Sequence, residues 1–464
     1  MSIQLTIDNK IIIPADRLPA DLADQVRKDL TLLNPKWEEN EKHGRWNNER
    51  KYLRYFKERN GVILAPRGYA AQLQRELNER RIPFTINDKT LSVPANIRFR
   101  GKLFPYQLNA LKDALSRRFS SISVPTGGGK TVISCALMAT RKERALVIVP
   151  TKVLLYQWKD RIEQFIDIQE GDIGLIGDGH KEMGALITVG IVNSLYRCAD
   201  ELAGLFGNIV CDEAHRTPSR TFTEVLARFN SRYCFGASAT RYRRDGLTRL
   251  ITFYCGEQVH HIAPQALVAI NRISSSRLVP HLTEFDFPFE PDLYQAMLST
   301  LIHNYRRNNL IVDTVVAEAR ESDGISLVVS DRVEHISTLH TMVQGHGVPV
   351  ALLVGSMRKR ERENVMKRLE EGSVKVLFAT ASLIGEGFDL ADISQLHLAS
   401  PVKYHGRVIQ YAGRALRAKE GKVALIHDYI DQRIGVLRNS FKSRIYAYNQ
   451  IGVEMKDIPP SCVM

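Results

Sequence analysis

Cysteine is scarce and scattered in this chain. The six residues Cys135, Cys198, Cys211, Cys234, Cys255 and Cys462 lie far apart with no C-x-x-C pair, so their spacing indicates neither a zinc site nor a disulfide framework and suits a reducing compartment. No run approaches the roughly 18 apolar residues of a membrane span. The opening MSIQLTIDNK lacks the basic and then apolar profile of a secretory signal. A soluble cytoplasmic protein is expected, with a nucleoid-associated or phage-encoded setting in a bacterial cell. Internal repeats and low-complexity tracts are missing too, which excludes solenoids and fibrous arrays. Acidic residues are in deficit: 51 Asp and Glu stand against 64 Lys and Arg, a net charge of +13. That excess favours a polyanionic partner, most often nucleic acid, over a merely basic soluble enzyme.

What is present is ordinary for a globular protein, with 44% hydrophobic and 25% charged residues over 464 positions. Such a length suggests about three domains. Residues 1–95 mix an alternating strand (IQLTI), polar helical stretches and a basic aromatic segment, as a small α+β module would. From about residue 96 the texture changes to short apolar runs (SISVP, ALVIVP, LITVGIV, NIVCDEAH, YCFGASAT) separated by helical stretches, and the pattern resumes after residue 301 with SLVVS, PVALLVG, VKVLFAT and KVALIHD. Buried parallel strands read this way. The expected fold is α/β, with two tandem doubly wound parallel-sheet domains at 96–258 and 301–464. The Ser- and Pro-containing stretch 259–300 reads as a linker plus an edge strand.

The segment SVPTGGGKT runs from a strand into a helix, the context a phosphate-binding loop needs. Thr126 opens the loop, and Gly127, Gly128 and Gly129 let backbone N–H groups wrap phosphate oxygens at a helix N-terminus. Lys130 would meet the β and γ phosphates and Thr131 would hold Mg²⁺. Val124 stands where the strict pattern has its first glycine. Downstream, IVCDEAH ends an apolar strand in two carboxylates. Asp212 is expected in the Mg²⁺ shell and Glu213 as the base that takes a proton from the attacking water, with His215 linking the site to a neighbouring element. ATP and Mg²⁺ are therefore the expected substrate and cofactor.

With these two motifs the chain resembles the superfamily 2 helicases and translocases, built from two RecA-like domains, and further segments fall in that family's order. In FPYQLNAL the resemblance implies Gln107 as adenine reader and Phe104 as a stacking partner. In VIVPTKVLLYQW and TVGIVNSLY it implies nucleic-acid contacts by Pro150, Thr151, Thr188 and Ser194. In GASAT, Ser238 and Thr240 would couple hydrolysis to strand movement. In the second domain, ATASLIGEGFDL supplies Thr380 for nucleic-acid phosphate and Gly387 and Asp389 near the nucleotide, while QYAGRALR supplies Gln410, Arg414 and Arg417. The two arginines, three apart on one helical face, can point across the cleft at the γ phosphate, where a guanidinium accelerates hydrolysis by about 10³ to 10⁵ in comparable NTPases.

Spellings are closer to the DNA repair and recombination branch that includes XPB and the phage UvsW helicases than to the RNA-processing DEAH enzymes. Arg243, Arg244 and Asp245 stand where XPB-like proteins carry Arg-Glu-Asp. The implied activity is ATP-dependent movement, three-prime to five-prime, on duplex, forked or branched DNA, by a monomer or a member of a repair or defence assembly. RNA is an alternative partner, as for an RNA helicase or double-strand RNA sensor. An ATP-gated clamp without strand displacement is another. Between Lys42 and Arg59 seven cations face Glu49 and Glu58, with Trp46, Tyr52, Tyr55 and Phe56 interleaved. Arg45, Trp46 and Lys51 are candidate nucleic-acid contacts; the same aromatics read equally well as the core of the small module.

Overall fold

The computed structural model describes residues 2–42, 46–213, 219–239, 247–270, 272, 274–381, 383, 393–401, 423–456 and 458–462. The chain divides into two compact units: residues 1–124 with 129–261, and 262–464 together with 125–128.

The N-terminal module carries a five-stranded sheet ordered Lys57–Arg59, Val62–Pro66, Lys10–Pro14, Ile3–Ile7 and Phe84–Asp88. Alternation in IQLTI buries Ile3, Leu5 and Ile7 on one face, where they meet Leu22 and Val26 of one helix and Leu73 and Leu77 of another. Leu247, Leu250 and Phe253, from the following α/β region, complete this core. Arg67 is buried and donates to the carbonyls of Phe229 at 3.1 Å and Ser231 at 2.8 Å. The module expected at 1–95 therefore shares its interior with the first α/β region, and both fall in one compact unit.

That region is built on an eight-stranded sheet among the described residues. Its order is His180–Lys181, Ile173–Gly177, Ile187–Ile191, Ala145–Val149, Asn208–Asp212, Tyr233–Ser238, Phe119–Ser123 and Glu257–His261. All neighbours pair in parallel except the first two. Ala145–Val149 and Asn208–Asp212 are buried at every position, as strands covered on both faces must be, and hence read as unbroken apolar runs. Glu257–His261 pairs along Ser120–Ser123, so this sheet runs beyond residue 258.

Three cysteines that sequence spacing kept apart meet in this core. The sulfurs of Cys211, Cys234 and Cys255 lie within 4.8 Å of one another. Gly236, the cross-strand partner of Cys211, makes the space, since a Cβ there would stand 3.1 Å from the Cys255 Cβ. All six cysteines are free and buried, and burial pushes the Cys135 thiol up to about 12. Ellman's reagent is expected to find essentially no reactive thiol in the native protein and all six after unfolding. Rapid labelling of the native fold would contradict the packing.

The second unit holds a six-stranded parallel sheet among the described residues, ordered Ser276–Leu282, Ala424–Ile430, Ile393–Leu398, Ile325–Ser330, Val376–Thr380 and Val350–Leu353. Much of the stretch expected as a linker, 259–300, belongs to this unit: Ser276–Leu282 pairs along its whole length with Ala424–Ile430, and a helix starts at Tyr294. Buried ion pairs fix the end of the Ala424–Ile430 strand to neighbouring helices, Arg307 to Asp431 at 2.8 Å and Arg444 to Asp428 at 2.7 Å. Removing either partner would leave a buried charge uncompensated.

A stack of imidazoles crosses this sheet. His397 and His427 lie with ring centroids 4.2 Å apart, and His281 sits 5.3 Å from His427 on the other side. Burial and the neighbouring imidazoles hold His397 far below its usual range and His427 at about 3. His335, packed against Asn308 and Ser330, is likewise held at about 3 by burial and then by Arg307. Neutral forms are thus favoured in the fold, so stability is complete above the unfolded value near 6.5 and is lost as pH falls toward 3. His335 and His427 should each cost on the order of 2 kcal/mol at pH 5. A melting midpoint for this unit that stays constant from pH 7 to 5 would contradict the arrangement.

Candidate nucleotide site

Four parallel strands, Ala145–Val149, Asn208–Asp212, Tyr233–Ser238 and Phe119–Ser123, end at one edge of the first sheet: Ile148 is level with Cys211, Asp212 with Ala237, and Ser238 with Ser123. Open α/β sheets place ligands outside these carboxyl ends. The loop after Ser123 turns directly into the helix Lys130–Arg141. Gly127 and Gly129 have φ of 82° and 85°, a region where side chains are strained. Val124 N–H donates to the Ser238 carbonyl at 3.0 Å, tying the loop's base to the neighbouring strand end.

Lys130 Nζ donates to Glu213 Oε1 at 2.6 Å, both side chains being mostly buried. The Trp158 indole N–H donates to Asp212 Oδ2 at 2.7 Å, and the Glu213 amide donates to Asp212 Oδ1 at 2.9 Å. Burial pushes the Asp212 carboxyl up to about 6 and the Glu213 charge adds to the rise, while Lys130 and the Trp158 hydrogen bond oppose it. Glu213 itself has φ of 48°, a conformation uncommon outside glycine and concentrated at functional sites. A cation, two carboxylates and a glycine-rich helix N-terminus therefore converge on one spot, with the donor types that bind phosphate and a hard divalent ion.

Gln107 lies at the third position of the helix Pro105–Leu115, buried, its Oε1 accepting from the Phe104 amide at 3.0 Å. Its amide backs the loop, since a Cβ on Gly129 would stand 2.2 Å from Gln107 Nε2. Phe104 is partly exposed and stacks on Tyr106, centroids 6.1 Å apart at 5°. Thr126 and Thr131 are half-buried in the loop and the first helical turn.

The expected nucleic-acid contacts fare unequally. Thr151 caps the helix Lys152–Phe165, accepting from the Leu154 amide at 3.4 Å, and Pro150 precedes it, half-buried. Ser194 is half-buried in the first turn of Val192–Leu202. Thr188 is a correction: it has no exposed surface, and its hydroxyl accepts from the Gly184 amide at 3.1 Å inside the sheet. Ser238 is buried at its strand end. Thr380 ends its strand buried, with no partner for its hydroxyl among the described residues. In the N-terminal module, Trp46 is 87% exposed and Lys51 Nζ lies 4.8 Å over the Trp37 ring, whereas Tyr55 and Phe56 pack against the core. Arg45, His215, Thr240, Arg243, Arg244, Asp245, Gly387, Asp389, Gln410, Arg414 and Arg417 lie outside the described residues.

Trp158 is the functional neighbour that sequence reasoning missed. Its signal was a lone tryptophan on the helix after the Pro150–Thr151 turn, without anything to say that it reaches Asp212.

The family comparison agrees with this geometry. The model "Type III restriction enzyme, res subunit" matches residues 100–243, and "Helicase conserved C-terminal domain" matches 307–419. The chain belongs to the superfamily 2 helicases, of the XPB/UvsW type. Among the relatives of this helicase, the DNA 3'-5' translocase XPB2 of Sulfurisphaera tokodaii is 26% identical over 429 residues, covering 81% of this chain and 95% of the relative. The protein named "Probable helicase D10" of Escherichia phage T5 is 26% identical over 305 residues, 64% of each chain. In structure, the fragment described as "a putative HsdR subunit of a type I restriction enzyme from Vibrio vulnificus YJ016" superposes with a TM-score of 0.59 at 19% identity, over 78% of this chain and 69% of that one. That likeness concerns the fold. The chain is thus an ATP-dependent helicase with two RecA-like domains. Among the described residues no helix is long and apolar enough to cross a membrane.

Proposed function

We propose that this helicase is a DNA motor that moves three-prime to five-prime and remodels duplex, forked or branched DNA during repair or recombination. The observation that carries the ATPase half is the meeting of Lys130 and Glu213 beside the buried Asp212. Support for DNA and for the polarity comes from the XPB2 relative, whose name states both, and from the net charge of +13.

In this reading the loop amides around Gly127 and Gly129 hold the phosphates, and Lys130 moves from Glu213 to the β and γ oxygens. Glu213, released, accepts the proton of the attacking water. Asp212 and Thr131 are the residues that would hold Mg²⁺, and the buried Asp212 carboxyl, whose partners among the described residues are the Trp158 indole and the Glu213 amide, fits that ion. When bound, Mg²⁺ neutralises charge on the phosphate oxygens. Arg414 and Arg417 of the second domain supply further positive charge as the domains close, so hydrolysis and reopening alternate with strand release. Gln107 reads the adenine, with Phe104 beside it. Pro150, Thr151, Ser194 and Thr380 border the nucleic-acid track, while Ser238 and Thr240 transmit between the two.

Displacement of a triplex-forming strand from duplex DNA tests the motor. ATP-dependent release is expected. ATP hydrolysis without release would convert the reading to an ATP-gated clamp.

A further inference from the structure

The N-terminal module and the helix Ser219–Leu226 enclose a groove of about 710 Å³ whose lining, among the described residues, includes Arg50, Lys51, Tyr52, Arg54, Arg220 and Thr223 and no carboxylate. One wall is the short strand Tyr52–Arg54, paired antiparallel with Thr31–Leu33. Leu53 packs toward the module's core, and successive side chains of a strand alternate, so Tyr52 and Arg54 share the outer face. Tyr52 is 53% exposed, and Lys51 Nζ stands 5.7 Å over its ring. The other wall is held rigidly, because Phe222, Val225 and Leu226 are buried in the sheet's core. On that wall Arg220 is exposed and pairs with Glu224 at 2.8 Å, an exchangeable surface contact.

Four cations around an aromatic ring match a single nucleic-acid strand: phosphates meet the guanidinium and ammonium groups, and an unstacked base meets the ring face. The volume falls in the range of about 300–1,000 Å³ typical of small-ligand sites, which suits a nucleotide or two and not a duplex. None of the lining residues belongs to the segments expected to form the motor's track. We propose that this groove is a second strand site, holding single-stranded DNA additional to the strand that the track follows. The inference rests on the proposed reading of the chain as a DNA motor.

The test uses the full-length protein and forked DNA carrying 5-iodouracil in one single-stranded arm at a time. Photocrosslinking should map to the peptide containing Tyr52 from one arm only. In parallel, the binding of a labelled oligothymidylate is measured against salt for the parent protein and for a Tyr52→Ala, Arg54→Glu, Arg220→Glu variant whose melting midpoint matches the parent. The variant should bind at least about tenfold more weakly and show a salt slope flatter by about 1.4, since each of the two lost single-strand phosphate contacts removes about 0.7. If the parent binds and crosslinks but neither the Tyr52 peptide nor the variant is affected, the groove is wrong and the motor reading stands. Crosslinks from both arms alike overturn the second-strand assignment. A parent that binds RNA and no DNA overturns both.

Discussion

Replacing Glu213 by Gln is expected to leave ATP binding intact and to slow hydrolysis by about 10³-fold, within the range of about 10² to 10⁴ for removal of a general base. Gln preserves the size of the side chain and can still accept from Lys130 Nζ, which lies 2.6 Å from Glu213 Oε1, but it cannot take up a proton. The strained backbone at this position, φ 48°, is unaffected by the change. Equilibrium binding of a fluorescent ATP analogue and steady-state phosphate release separate the two quantities. Parental turnover in Glu213→Gln would sink the assignment of Glu213 as base.

The second large effect is at Lys130. Lys130→Ala should weaken ATP binding by about 10- to 100-fold, the scale of one lost charge-assisted hydrogen bond, and lower turnover further because charge on the γ phosphate goes unanswered. It also strands two neighbouring carboxylates: Asp212 is already raised by burial and then by Glu213, and Lys130 is the cation that opposes this rise. Titration of the analogue against the variant reads the first effect and single-turnover hydrolysis the second. An ATP affinity equal to the parent's would show that Lys130 does not face the phosphates.

Much of this site was legible in the sequence because phosphate chemistry constrains the chain locally. Three glycines and a lysine between a strand and a helix supply the backbone N–H groups and the cation that phosphate oxygens need, and an apolar strand that ends in Asp212 and Glu213 announces a sheet edge. The parallel strands were legible for a related reason: a strand covered on both faces must be apolar throughout, as ALVIV is. That same rule hid the error at Thr188. In a strand buried on both sides, a polar residue carries no alternation signal that says whether it faces solvent, and Thr188 satisfies its hydroxyl on Gly184 inside the fold.

Contacts between distant segments were not legible at all. The reach of Trp158 to Asp212 and the gathering of Cys211, Cys234 and Cys255 depend on which strands the topology makes neighbours. The Ser276–Leu282 strand was only half visible, because an edge strand with Pro280 and His281 reads much like linker until its partner at Ala424–Ile430 is known.

The steady-state ATPase rate measured without nucleic acid, and then with single-stranded DNA, duplex DNA, a four-way junction and matched RNA at one fixed salt concentration, decides whether this protein is a DNA-driven motor. Weak hydrolysis alone and strong stimulation by DNA, greatest with the duplex or the junction, are expected. Stimulation by RNA alone would contradict the DNA assignment while leaving Lys130 and Glu213 in their places, and a rate that no nucleic acid changes would contradict the motor itself.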